Sequence, residues 1–220
     1  MKKALAIAFL ITAISFSSFS QEKSSDPVFD YSETKHELSL DIAPIIGGNY
    51  PSNLLYRQHY VSKKGNDVAF RLGARIGASI SSTESDNSTP ENISRNNQNF
   101  SVFLGKEWQK QIQSRIIGYY GVDLELGYGR FYFDASNTTD GRVFTNQVDN
   151  FFNIGTIGFL GMRYHFTQHF SVSAETAANL NYSNSRFEGT FENNVNNTQR
   201  TNSLGLSMIP LRAIRFAFHF

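Results

Sequence analysis

The chain has 220 residues, no Cys, a formal net charge of +1, 14% aromatic residues and a mean hydropathy of -0.33. The lack of Cys excludes disulfides, thiolate metal sites, a cysteine nucleophile and the lipid-modified Cys of a lipoprotein, and the near-zero charge supplies no field for nucleic acid. The hydropathy argues against a helical membrane protein but suits a membrane barrel, whose strands show lipid one face and keep the other polar.

Met1-Lys2-Lys3, an apolar run over 4–16 and the small residues of Ser18-Phe19-Ser20 read as a signal peptide over 1–20, cut before Gln21. The run is shorter than the roughly 20 residues of a spanning helix. Residues 21–35 read as a polar, mobile N-terminal lead-in. From 36 to 220 the hydrophobic period is two, and eight strands are predicted over 37–46, 54–62, 68–80, 100–108, 115–134, 150–166, 169–183 and 202–220. The third is the clearest: Val68, Phe70, Leu72, Ala74, Ile76, Ala78 and Ile80 alternate with Arg71, Gly73, Arg75 and Gly77. Lys63-Lys64-Gly65-Asn66-Asp67 marks a tight turn. Residues 109–114 read as a connection, and the polar stretches 81–99, 135–149 and 184–201 as three long loops. Short and long connections that alternate fit an up-and-down barrel with tight turns at one end and extended loops at the other. Pro210 removes a ladder donor from the eighth segment, so that strand bulges there or begins later.

With the apolar phase turned to lipid, the other phase points inward. It carries Asp41, Arg57, Arg71, Arg75, Glu107, Asp123, Glu125, Arg163, Glu175 and Arg215, five Arg and five carboxylates with no Lys. An eight-stranded interior is just wide enough for side chains to fill it, so these charges need partners, and the planar guanidinium can bridge two carboxylates. A structural polar plug is the expected role, with a narrow ion path or gate as the sharper alternative. Gly73, Gly105, Gly121, Gly127, Gly129, Gly155 and Gly161 share the inward phase and would make room for Arg side chains. Tyr56, Tyr60, Trp108, Tyr128, Tyr132, Tyr164, Phe166, Phe170 and Phe220 are candidates for interfacial girdles, and Lys106 would snorkel toward head groups near Trp108.

At the C-terminal end Ile214, Phe216, Phe218 and Phe220 alternate with Arg215, Ala217 and His219. This resembles the terminal strand of outer-membrane β-barrel proteins, and residues 36–220 resemble the small eight-stranded family, OmpA-type or porin-like. The resemblance implies an all-β, eight-stranded antiparallel up-and-down transmembrane β-barrel in the outer membrane of a Gram-negative cell. It also implies that Ile214, Phe216, Phe218 and Phe220 address the chain to the barrel-assembly machinery, and that outer-membrane lipid and that machinery are its partners. No attached peptidoglycan-binding domain is read in the chain.

His169-Phe170-Ser171 with Glu175 faintly resembles the His-x-Ser element of lipid A deacylases, but it follows a turn on the periplasmic side, far from the outer leaflet. The His residues are scattered and form no ligand set. The sequence therefore predicts a monomer with no catalytic residue, cofactor or metal, in a structural or adhesive role through its loops. The alternatives are a narrow porin, or a small-solute binding barrel that includes a soluble lipocalin-like form.

Overall fold

The computed structural model describes residues 27–84, 91–137, 143–190 and 196–220; the signal-peptide reading lies outside them. Eight strands form one antiparallel sheet that closes on itself in chain order: β1 (His36–Asp41), β2 (Asn53–Val61), β3 (Asp67–Glu84), β4 (Glu91–Gln113), β5 (Ile116–Asn137), β6 (Val143–His165), β7 (Phe170–Thr190) and β8 (Asn196–His219). The protein is an all-β, eight-stranded, up-and-down barrel. One short helix, α1 (Ala43–Ile46), lies between β1 and β2. Asp41 sets the end of β1: its Oδ1 accepts from the Ala43 N–H and the Ile214 N–H, both at 3.1 Å, and Pro44 then fits the first turn of α1. The first predicted segment therefore ends at Asp41, five residues early.

The even-numbered phase faces out and the odd-numbered phase faces in. Leu124 is 47% exposed while Arg71 is 0% exposed. A soluble barrel distributes its residues the other way round. On β5 the outer face reads Tyr120, Val122, Leu124, Leu126 and Tyr128, bounded above by Arg130. Eight steps at ~3.4 Å, tilted ~40°, give about 21 Å of apolar height, close to a membrane barrel's band. The lower rim of that band is aromatic. Tyr60, Val68, Trp108 and Tyr120 are consecutive cross-strand partners, with Trp108 and Tyr120 stacked at 5.6 Å. The Lys106 ammonium lies 5.5 Å from the Trp108 ring. Such a surface, apolar outside with charge inside, defines a membrane barrel.

The lower connections are short. Gly65 takes φ +77 in the 62–66 turn, which closes with the Gly65 N–H donating to the Ser62 carbonyl at 2.9 Å. β4 runs on to Gln113, so the connection predicted over 109–114 shrinks to Ser114 and Arg115. The upper ends correct the reading further. Most of 81–99, 135–149 and 184–201 is strand, because β3 to β8 continue well past the apolar band as paired hairpins. Both faces of these extensions meet water and both are polar, so the period-two signal vanishes although the ladder continues. Side-chain bonds such as Ser183 to Ser203 at 2.7 Å join their strands.

β7 and β8 lose register between Glu175 and Ala177, where β8 carries extra residues around Pro210. β1 pairs with β8 only up to Asp41–Arg215, and β2 with β3 only up to Asn53–Arg75. Above those points β3 and β8 have free edges among the described residues. Pro210 thus sits on a bulge and on an open edge, the two places in a sheet that tolerate it.

Candidate functional site

The inward phase of the lower half of the barrel is a continuous ion-pair network. Glu107 on β4 is its hub. It accepts from Arg57 Nε at 2.9 Å, Arg71 at 2.9 Å, Arg163 at 3.2 Å and Gln109 Nε2 at 2.7 Å. Glu175 on β7 accepts two nitrogens of Arg71 at 3.0 Å each and Arg212 at 2.8 Å. Asp123 on β5 accepts from Arg212 at 2.9 Å and makes an ion contact with Arg71 at 3.2 Å. Glu37 on β1 pairs with Arg57, and with Arg163 and His59 at 3.2 Å each. Aromatic rings insulate the charges: the Arg71 guanidinium lies 3.7 Å over Phe159, and those of Arg57 and Arg163 lie 5.3 Å from Tyr119.

The structure brings six of the ten candidate interior residues into this network: Arg57, Arg71, Glu107, Asp123, Arg163 and Glu175. Arg75 and Glu125 form a separate pair higher up at 3.4 Å. Asp41 and Arg215 are cross-strand partners but make no ion pair. Asp41 caps α1, while Arg215 reaches Asn53 Oδ1 at 3.4 Å and keeps two nitrogens without hydrogen bonds. Three ionisable network members escaped the sequence reading: Glu37, His59 and Arg212. Glu37 shares the phase of Ser39 and Asp41, so the alternation could have found it. Arg212 is even-numbered and would point outward on an unbroken strand; only the bulge near Pro210 turns it in. The inward glycines also serve a different purpose from the expected one. A methyl on Gly129 would overlap the Phe151 ring, and one on Gly161 the Tyr119 ring. Gly73 and Gly121 likewise make room for the rings of Phe103 and Phe159, while Gly105, Gly127 and Gly155 lie against Asp123, Asn153 and Asn179.

Over its described part the lead-in is docked against the barrel. Residues 27–35 fold into the lower mouth as a strap. The Val28 N–H donates to the Ser114 carbonyl at 2.8 Å, Phe29 stacks on His165 at 4.5 Å, and Tyr31 stacks on His59 at 3.9 Å. The Tyr31 hydroxyl bonds His165 Nε2 at 3.0 Å and accepts from Arg163 at 2.8 Å. At the strap's exposed turn Asp30 accepts from the Ser32 N–H at 2.7 Å, and hydrogen bonds from Ser32 hold its carboxyl below the ordinary value.

Catalytic and metal chemistry can be judged from the same geometry. Ser171 Oγ bonds His219 Nε2 at 2.8 Å, not His169, and His219 Nδ1 has no hydrogen-bond partner. No carboxylate orients that imidazole as a nucleophile's base requires, and both residues are fully buried. Glu37, His59 and His219 place potential ligand atoms within 4.8 Å of one another, a grouping that appears only in three dimensions. The Arg57 and Arg163 guanidiniums already neutralise Glu37 and would repel a metal ion.

Above the network lies an open chamber of about 320 Å³ lined by Arg75, Asn97, Asn99, Phe100, Ser101, Glu125, Tyr128, Phe131, Phe151 and Asn153. Its amides, its one ion pair and its rings can donate, accept and stack. The fold and this interior place the chain in the class of membrane β-barrels. No family model and no curated protein matches it. Among solved structures it is similar to the ferric yersiniabactin uptake receptor FyuA of Yersinia pestis, at 9% identity and a TM-score of 0.43. The likeness covers 70% of this chain and 24% of that one, so this chain spans about a quarter of the receptor's length.

Proposed function

We propose that the protein is a non-enzymatic, monomeric outer-membrane barrel, closed to solutes, that holds its long hairpins at the cell surface in a structural or adhesive role. The observation that carries this reading is the buried network centred on Glu107, which fills the lower interior where a pore would have to pass. The Tyr31 strap adds a second closure beneath it. An eight-stranded interior leaves little space beyond its own side chains, and this one is filled with paired charge. The hairpins of β3–β4, β5–β6 and β7–β8 stand above the apolar band on a rigid wall, the usual setting for a binding surface. The outer-membrane location rests on the apolar exterior together with the signal-peptide reading and the aromatic terminal strand. In this reading Ile214, Phe216, Phe218 and Phe220 engage the barrel-assembly machinery.

Membrane fractionation of expressing cells, with protease added outside, tests the proposal. The expected result is a protein in the outer-membrane fraction that migrates differently before and after boiling and is cleaved only in its upper hairpins. A detergent-free, monodisperse protein would reject it. Planar-bilayer recording should give no steady conductance for the intact chain, and a sustained open state would favour the narrow porin instead. Unaltered lipid A in those cells is the third expected result, and an altered lipid A mass would restore the enzyme reading.

A further inference from the structure

β1 has six residues, whereas a tilted strand needs roughly 9–11 to cross a bilayer. β1 and β2 therefore wall only the lower part of the apolar band. The last backbone bonds on the two sides are the Ile42 N–H to the Ile214 carbonyl at 2.7 Å and the Ile76 N–H to the Ser52 carbonyl at 2.9 Å. Beyond them β3 and β8 face each other across two missing strands, a gap of about 14 Å at ~4.8 Å per spacing. The outer faces of both rims remain apolar: Ile76 and Ile80 on β3, and Leu204, Leu206 and Met208 on β8, the last two 77% and 79% exposed. With the termini below, this notch opens toward the outer leaflet.

Hydrocarbon cannot satisfy the free N–H and C=O groups of such edges, and irregular backbone at membrane depth persists only where it is covered or lines a polar space. A pure alkyl chain therefore fails as an occupant, because it offers the edges no hydrogen bonds. An amphiphile supplies both parts. The chamber lies inside the barrel against β4, β5 and β6, and reaches the lower corner of the notch at Arg75, the last β3 residue that pairs with β2. Its chemistry is balanced. Arg75 and Glu125 cancel each other's charge, Asn97, Asn99 and Asn153 each donate and accept, and Phe151 is laid against Gly129. A charged head would meet one member of the pair unfavourably, whereas vicinal hydroxyls can bond to both. A volume of about 320 Å³ is at the lower end of the ~300–1,000 Å³ of ordinary ligand sites.

We infer that the notch is a lateral binding port for a glycolipid-like amphiphile of the outer leaflet. An uncharged sugar head fills the chamber and turns hydroxyls to the free edges of β3 and β8, and the acyl chain lies along the apolar outer faces of the two rims. This rests on the outer-membrane reading and adds a ligand class to it.

The test uses the full chain in phosphatidylcholine nanodiscs doped with dodecyl maltoside, dodecyl sulfate or dodecyltrimethylammonium at equal mole fraction, read by native mass spectrometry. The maltoside should give a saturable one-to-one adduct favoured at least tenfold over both charged probes. The double variant Asn97→Ala, Asn153→Ala should lose it at least tenfold while reconstituting normally. A diazirine on the maltoside's alkyl chain should crosslink to 76–80 and 204–208. Equal adducts for all three probes, an undiminished adduct in the variant, or crosslinks spread evenly around the wall would each overturn the port. Failure of the wild-type chain to enter nanodiscs would overturn the membrane reading instead, so the two failures are distinguishable.

Discussion

Glu107 satisfies three guanidiniums from three different strands, and its removal leaves four buried arginines, Arg57, Arg71, Arg163 and Arg212, with the three carboxylates of Glu37, Asp123 and Glu175. The expected cost of Glu107→Ala is about 3–5 kcal/mol, measured as a lower urea midpoint for unfolding from detergent micelles. Glu125→Gln breaks one long contact to the half-exposed Arg75 and should cost under ~1 kcal/mol. Equal losses from the two substitutions would contradict the division of the interior into a network and an outlying pair. A single rule, the alternation of phase, puts all ten candidates on the inner side, where nine are buried and Arg75 is half-exposed. Which charges meet was not legible, because ion pairing depends on height and side-chain reach across the lumen. Arg57 meets Glu107 across fifty positions of sequence, while Asp41 and Arg215 are neighbours that stay unpaired.

At the scale of elements, the sequence reveals a strand where its two faces meet different solvents. The band from Tyr120 to Tyr128 was readable for that reason, and the extensions above it were not, because Asn, Ser and Thr occupy both their faces. The strap shows a related limit. Residues 27–35 carry no period at all, and their docking depends on His59, His165 and Arg163, three residues from two strands that converge at the lower mouth. Tyr31→Ala should release the strap. The expected outcome is rapid tryptic cleavage after Lys35 in detergent-solubilised protein, at a site resistant in the wild type, with the barrel itself left intact. Continued resistance at Lys35 would mean that the strap is held by Phe29 and the Val28 backbone bond alone.

For the whole molecule, the decisive property is that grease faces out. Leu124→Arg places a charge near the middle of the band and should cost about 2–4 kcal/mol in folding into lipid vesicles, while Asn184→Arg, above the band, should cost about 0–1 kcal/mol. Comparable effects at the two positions would show that the exterior does not meet hydrocarbon.

The strap also dictates an order of events. Tyr31 touches the rings of His59 on β2 and His219 on β8, strands that the short β1 alone joins. Those surfaces are side by side only after the first and last strands have met, so the tyrosine can find its seat no earlier than the final step of insertion. It then acts as a latch on a completed seam.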